Sequence, residues 1–224
     1  MPAKAKPSQK RVLIVDDHPM MRQGLAQLID NEPDLQVCAE ADNAGQALDA
    51  VGRETFDLIL LDISLPDKNG LELIKDILTL KPGLPILVVS MHDELLYAER
   101  VLRAGGRGYI MKQEGGKKFL HAIQQVLSGQ VYVSEKMSAQ ILETVSGRRG
   151  ESSASPIKRL SDREFEVFQM IGQGKATREI AERLHLSIKT VEVHRANIKK
   201  KLKLKTSTDL VSHAIRWVES EQKS

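Results

Sequence analysis

The sequence predicts an α/β protein: a flavodoxin-like, doubly wound parallel sheet of five strands in the order 2-1-3-4-5, followed by a small all-α unit of four helices in a helix-turn-helix arrangement. Three observations carry this. Short apolar runs alternate with helical patterns through the first 130 residues, a polar Gly- and Ser-rich stretch follows over 146–156, and the remainder reads as helical. The boundaries expected are a disordered tail over 1–10, an α/β domain over 11–130, a connecting helix and linker over 131–157, and a helical domain over 158–224.

The apolar runs Val12–Val15, Leu58–Leu61, Ile86–Val89 and Tyr109–Met111 lack polar alternation, as suits strands buried on both faces of a parallel sheet. Strands are expected near 11–15, 35–40, 57–61, 85–90 and 108–111, and helices near 19–31, 43–53, 70–80, 94–104 and 115–128. The short connections fit βα units. Another helical stretch covers Ser134–Val145. Beyond the linker, Ser161 and Glu164 have capping-box spacing before an apolar-periodic helix that Gly172 and Gly174 end. Thr177–Leu184 is expected as a short helix, His185–Ser187 as a tight turn, and Lys189–Leu202 and Ser207–Trp217 as the last two helices.

Composition excludes several classes. No run approaches the roughly 18 apolar residues of a membrane span, so no membrane partner is expected. The Lys/Pro/Ser tail is no secretory signal. The single cysteine, Cys38, rules out an internal disulfide and fits a reducing cytoplasm; in its strand-like run it reads as a small buried hydrophobe. The six histidines show no metal-ligand spacing, and no zinc site is expected. Charge is divided unevenly: residues 1–130 carry 15 Lys/Arg against 18 Asp/Glu, and residues 151–224 carry 15 against 10. An acidic half joined to a basic half suggests two jobs, the basic one favouring nucleic acid.

The four apolar runs end in chemistry. Asp16 and Asp17 follow the first, Asp62 the second, Ser90 the third and Lys112 the fourth. Sites in open parallel sheets form beyond the carboxyl ends of the strands, and the expected order sets strand 1 beside strand 3. A strand-end carboxylate can attack phosphorus when charge repulsion is neutralised. Mg²⁺ does this through carboxylate, water and phosphate oxygens. A lysine ammonium pairs with phosphoryl oxygens, and a hydroxyl can hydrogen-bond the new phosphate.

Together with Leu65-Pro66, Gly70 and Gly108-Tyr109, this order of residues resembles the receiver domain of bacterial two-component response regulators. The resemblance implies phosphorylation at Asp62 by a sensor histidine kinase, with Lys112 pairing with the phosphoryl group and Ser90 and Tyr109 acting as the switch pair. It implies Mg²⁺ held by Asp17, Asp62 and the backbone carbonyl of Ser64, with Asp16 acting through a metal-bound water.

In the helix from Lys189, Val191, Ile198 and Leu202 share a narrow apolar stripe. Lys189, Glu192, Val193, Ala196 and Lys200 lie opposite, with Lys199 flanking. One packed stripe and one basic face suit the major groove. Lysines there contact phosphates, Val193 and Ala196 meet thymine methyls, and Glu192 accepts from cytosine. His194 is expected beside the stripe. The segment Leu160–Leu204 resembles the LuxR-type four-helix DNA-binding domain of the NarL/FixJ regulators, carried by Leu160-Ser-Asp-Arg-Glu164, Glu179-Ile-Ala181, Lys189-Thr-Val-Glu-Val-His194 and Ile198-x-x-Lys-Leu202. Thr190 joins the DNA-contact set on that resemblance. The implied protein is no enzyme: it is a phosphorylation-controlled transcription regulator that dimerises on activation and binds inverted half-sites on double-stranded DNA. Two alternatives stand beside it: a receiver that works without phosphorylation, and a phosphatase-like enzyme using the same aspartate. The second needs another Asp two residues past Asp62, where Ser64 stands.

Overall fold

A computed structural model describes residues 9–145, 156–184 and 186–221. Most of the expected tail (1–8) and linker (146–155), and His185 of the expected turn, lie outside the described residues. The chain divides into two compact units, residues 1–139 and 140–224.

In the first unit β1 (Lys10–Val15), β2 (Leu35–Ala41), β3 (Leu58–Leu61), β4 (Ile86–Ser90) and β5 (Gly108–Met111) form one parallel sheet in the order β2-β1-β3-β4-β5. Helices α1 (Pro19–Asp30), α2 (Ala44–Arg53), α3 (Gly70–Leu80), α4 (Glu94–Ala104) and α5 (Gly116–Leu127) connect the strands and follow β5. Every residue of β3 and β4 is buried, which is why those runs show no polar alternation. Local sequence sets the helix starts: Asn43, Asn69 and Asp93 each accept a backbone N–H in the first turn of α2, α3 and α4, and Pro19 opens α1. Asp17, whose position before Pro19 suits a cap, does not cap α1; His18 holds the cap position, and its side chain accepts no N–H from the first turn.

Two expectations need correction. Lys10 is not part of a tail but begins β1, opposite Leu35. Cys38 is half-buried rather than a core residue. The register jumps from Val12↔Val37 to Leu13↔Ala39, so Cys38 is the extra residue of a β-bulge on edge strand β2.

Gly70 has a steric cause. A Cβ there would collide with the backbone of Ile63, and Gly70 N–H donates to Ile63 O at 3.0 Å, so only glycine lets α3 begin this close to the segment after Asp62. Farther along the same loop, Asp67 accepts the N–H groups of Ala44 and Gly45 at 2.9 and 3.1 Å, fastening it to the start of α2.

A further helix, α6 (Glu135–Val145), runs across the division between the units. The second unit contains a 3₁₀ turn (Pro156–Arg159), then α7 (Asp162–Gly172), α8 (Thr177–Arg183), α9 (Ile188–Leu202) and α10 (Ser207–Glu221). The capping box at the start of α7 forms as expected: Ser161 Oγ accepts Glu164 N–H, and Glu164 Oε2 accepts Ser161 N–H. The buried apolar residues of this unit include Phe165, Val167, Phe168, Ile171, Ile180, Val191, Ile198, Leu210 and Ala214. Trp217 meets both Phe165 and Phe168 at ring-centroid distances of 5.4 and 5.6 Å. Among the described residues no helix is long and apolar enough to cross a membrane.

Candidate functional site

Register brings the predicted residues together. Val15 pairs with Leu61, so Asp16 and Asp62 each stand one residue beyond the paired ends of neighbouring strands, tied by Asp62 N–H to Val15 O at 2.8 Å. Ser90 pairs with Met111, and Lys112 N–H donates to Ser90 O at 2.8 Å. Lys112 Nζ then lies 2.6 Å from Asp16 Oδ2 and 2.7 Å from Asp62 Oδ2. All three side chains are buried, whereas Asp17 is about one-third exposed at the rim. Asp62 Oδ1 accepts the backbone N–H of Ser64 at 3.0 Å, which fixes the carboxylate plane.

The site holds more negative than positive charge. Burial pushes the Asp62 carboxyl above the ordinary aspartate value, against the pull of Lys112. Burial opposes the Lys112 ammonium, but Asp16 and Asp62 outweigh it and hold its pKa above the ordinary lysine value. Buried Asp16 Oδ2 and Asp17 Oδ1 receive no well-aligned hydrogen bond from any described residue, although Lys112 and His18 are close to them. Ligand atoms of Asp16, Asp17, His18 and Asp62 all fall within 4.8 Å of one another. Hard carboxylate oxygens with unfilled acceptor capacity fit a divalent cation.

His18, which was not among the expected site residues, stands beside the acidic cluster. Its Nδ1 lies 2.6 Å from Asp17 Oδ1 and 3.3 Å from Asp16 Oδ1. His92 is a second residue sequence reasoning missed. Its Nε2 hydrogen-bonds Ser64 Oγ at 2.9 Å, and its ring stacks on Tyr97 at 4.7 Å. Its backbone N–H donates to Ser90 Oγ at 3.2 Å, while its backbone carbonyl accepts the Tyr109 hydroxyl at 2.8 Å. Tyr109 is thus fully buried, with burial pushing its phenol well above the ordinary tyrosine value. Neither histidine belongs to a spacing motif; both were reachable only as the residues two past Asp16 and Ser90.

In the second unit, α8 and α9 make the helix-turn-helix. Ser187 caps α9 through Thr190 N–H at 3.0 Å. Val191 and Ile198 are buried and Leu202 half-buried, so the stripe faces inward as expected. Lys189, Glu192, Val193, Ala196 and Lys200 are exposed, Val193 by 52% despite being apolar. Thr190 and Lys199 are half-buried, and Lys199 Nζ reaches Ser207 Oγ at 3.5 Å. Glu192 already accepts from Thr177 Oγ1 at 3.2 Å, a contact between the two helices that helix-wheel geometry does not reveal. His194 is half-buried as expected, but its Nδ1 is buried without a hydrogen bond from the described residues.

Glu164 ties α9 to α7. It is 4% exposed, and Lys201 Nζ donates to its Oε2 at 2.5 Å. Burial favours the protonated acid, but the Lys201 and Ser161 bonds prevail and hold its pKa below the ordinary glutamate value. A carboxyl with a lowered folded-state pKa contributes stability that is present above its unfolded pKa and lost as pH falls through the folded one. Melting of the second unit is therefore expected to fall more steeply below about pH 4.5 in wild type than in Glu164→Gln. Parallel slopes in circular-dichroism melts across pH would refute this.

Residues 12–124 match the response regulator receiver domain family, and residues 158–214 match the LuxR family of bacterial regulatory proteins. The chain is a response regulator. Its receiver followed by a LuxR-type unit is the NarL/FixJ arrangement. The response regulator is 34% identical over 210 residues to the oxygen regulatory protein NreC of Staphylococcus haemolyticus, covering 92% of this chain and 97% of that protein. With NreC of Staphylococcus carnosus the identity is 32% over equal coverage. Among solved structures it is similar to RcsB of Salmonella enterica serovar Typhimurium bound to promoter rprA in the presence of phosphomimetic BeF3-. That likeness has a TM-score of 0.71 and 25% identity, covering 92% of this chain and 98% of the other.

Proposed function

We propose that this response regulator accepts a phosphoryl group on Asp62 from a sensor histidine kinase and thereby controls transcription through α9. One observation carries the reading: Asp62 is buried at a strand tip, held at 2.7 Å by Lys112, with Asp16 and Asp17 just past the end of the adjoining strand. An Asp62 carboxylate oxygen attacks phosphorus of the kinase phosphohistidine, the P–N bond breaks, and the histidine ring leaves with the bonding pair. Lys112 stays beside Asp62 Oδ2 and meets the incoming negative oxygens, while Ser64 N–H keeps Oδ1 oriented. Mg²⁺ held by Asp17, Asp62 and the Ser64 carbonyl, with Asp16 acting through water, would supply charge neutralisation. Ser90 Oγ lies on the neighbouring strand as the hydroxyl that can turn to the acyl phosphate, with Tyr109 as its partner. Catalytic turnover on a free phosphate ester is no part of this role.

In the DNA-binding unit, Lys189, Thr190, Glu192, Val193, Ala196, Lys199 and Lys200 make up the proposed contact face, with exposed lysines at phosphates and Val193 and Ala196 at bases. RcsB dimers have been seen on DNA; here, dimerisation on activation over inverted half-sites one helical turn apart is the corresponding proposal. Such a regulator works in the cytoplasm, with its operator DNA.

Incubating the full chain with acetyl phosphate and Mg²⁺ is expected to modify Asp62, located by peptide mass spectrometry, and to tighten binding to operator fragments selected from random DNA about 5–150-fold. An unmodified Asp62 with unaltered DNA affinity would overturn the proposal in favour of a receiver working without phosphate.

A further inference from the structure

Glu94 is a carboxylate that the phosphate chemistry does not use. It lies in the first turn of α4, is 8% exposed, and accepts the backbone N–H of Ser134 at 2.7 Å. Ser134 in turn caps α6: its Oγ accepts Met137 N–H at 3.1 Å and its carbonyl accepts Ser138 N–H at 2.9 Å. Two residues earlier the same segment is pinned to β5, with Tyr109 N–H donating to Tyr132 O at 2.9 Å and Tyr132 N–H to Arg107 O at 3.0 Å. The first turn of α6 is thus fastened to the receiver at two points. One is the strand carrying Tyr109 and the other is a buried acid.

The opposite end of Glu94's connections is Asp62. Ser64, which orients Asp62, hydrogen-bonds His92, and His92 also meets Ser90 Oγ and the Tyr109 hydroxyl. Asp93 follows as the α4 cap, and Glu94 is the next residue. Ser64, Ser90 and Tyr109 therefore all bond to His92, two residues before Glu94. A hydrogen bond weakens as its partners separate or lose alignment, so a small displacement of the segment 90–94 alters how α6 is held. From α6 the chain continues to the DNA-binding unit.

We propose that Glu94 is the positioning residue that transmits the state of Asp62 to α6, by gripping or releasing the Ser134 amide. This rests on the phosphoacceptor reading above. It assigns a specific side chain to the step between the receiver and the connecting helix, and the apolar periodicity of α6 gives no hint of it.

The test uses full-length wild type, Glu94→Ala and Glu94→Gln, each with Mg²⁺ and with or without beryllium fluoride. DNA affinity for a fragment selected from random DNA is read alongside amide hydrogen exchange at residues 134–139. Acetyl phosphate labelling of Asp62 is expected at the same rate in all three. The ratio of DNA affinities with and without beryllium fluoride is expected to fall about tenfold, towards one, in Glu94→Ala, with most of it restored in Glu94→Gln, whose amide oxygen still accepts Ser134 N–H. A general packing defect would not be rescued by glutamine and would leave wild-type exchange at 134–139 insensitive to beryllium fluoride. An unchanged ratio in Glu94→Ala overturns the proposal. If that variant fails to fold, beryllium-fluoride-insensitive exchange at 134–139 in wild type overturns it instead. A wild type whose Asp62 takes no phosphoryl group sinks the underlying reading, a distinguishable failure.

Discussion

Lys112→Met is expected to lower the stability of the receiver by about 3–5 kcal/mol in EDTA, because it leaves two buried carboxylates facing each other without their cation. The substitution preserves most of the aliphatic stem, so lost packing contributes little. Asp16 and Asp62 both direct Oδ2 at the ammonium, at 2.6 and 2.7 Å, and both are almost fully buried. Water cannot replace the lost charge, and a loss of this size is expected to lower the receiver melting transition by about 10 °C or more. Millimolar Mg²⁺ is expected to restore much of it by mass action, since a divalent ion relieves the same repulsion. Adding Asp16→Asn is expected to restore stability without metal, a non-additive pair. Phosphorylation by acetyl phosphate is expected to collapse in Lys112→Met even with Mg²⁺. Calorimetry with and without metal checks the first claim, and equal transitions for wild type and variant would refute it.

The second large effect concerns α9. Lys189→Ala and Lys200→Ala are each expected to reduce the salt dependence of DNA binding by about one unit of log–log slope, and the double variant by about two. From 50 to 200 mM salt that corresponds to roughly threefold in affinity per contact, applied uniformly to all sequences. Val193→Ser is expected to act differently, changing base preference at one position by about 1–3 kcal/mol while leaving the slope alone. Both lysines are exposed, so neither substitution costs the fold its core. Titrations by fluorescence anisotropy at several salt concentrations separate the two classes. A sequence-selective loss in Lys200→Ala would move that residue from phosphate contact to base contact.

The sheet and its site were legible because burial on both faces leaves an unbroken apolar run, and the first polar residue after such a run falls at a strand tip. Val12–Val15 followed by Asp16, and Leu58–Leu61 followed by Asp62, are direct cases. The start of α7 at Ser161 was equally local, since a capping side chain acts within three residues of itself. What escaped depends on contacts between segments distant in sequence. Cys38 carries no mark of a bulge, because a bulge is a property of the pair β1–β2 and not of one strand. His92 gains its place only when the turns after β3 and β4 meet, and Glu94 only when Ser134 returns beside it. The contact between Thr177 and Glu192 likewise needs the angle between α8 and α9.

The two margins of the sheet bear on how copies of this protein can associate. On one side β2 is kinked at Cys38, and on the other Tyr132 already occupies the free amide of Tyr109. A kinked border and a covered one are both poor templates for recruiting a strand from a neighbouring molecule. Strand-to-strand association at either margin of the receiver sheet is thereby disfavoured in the folded form.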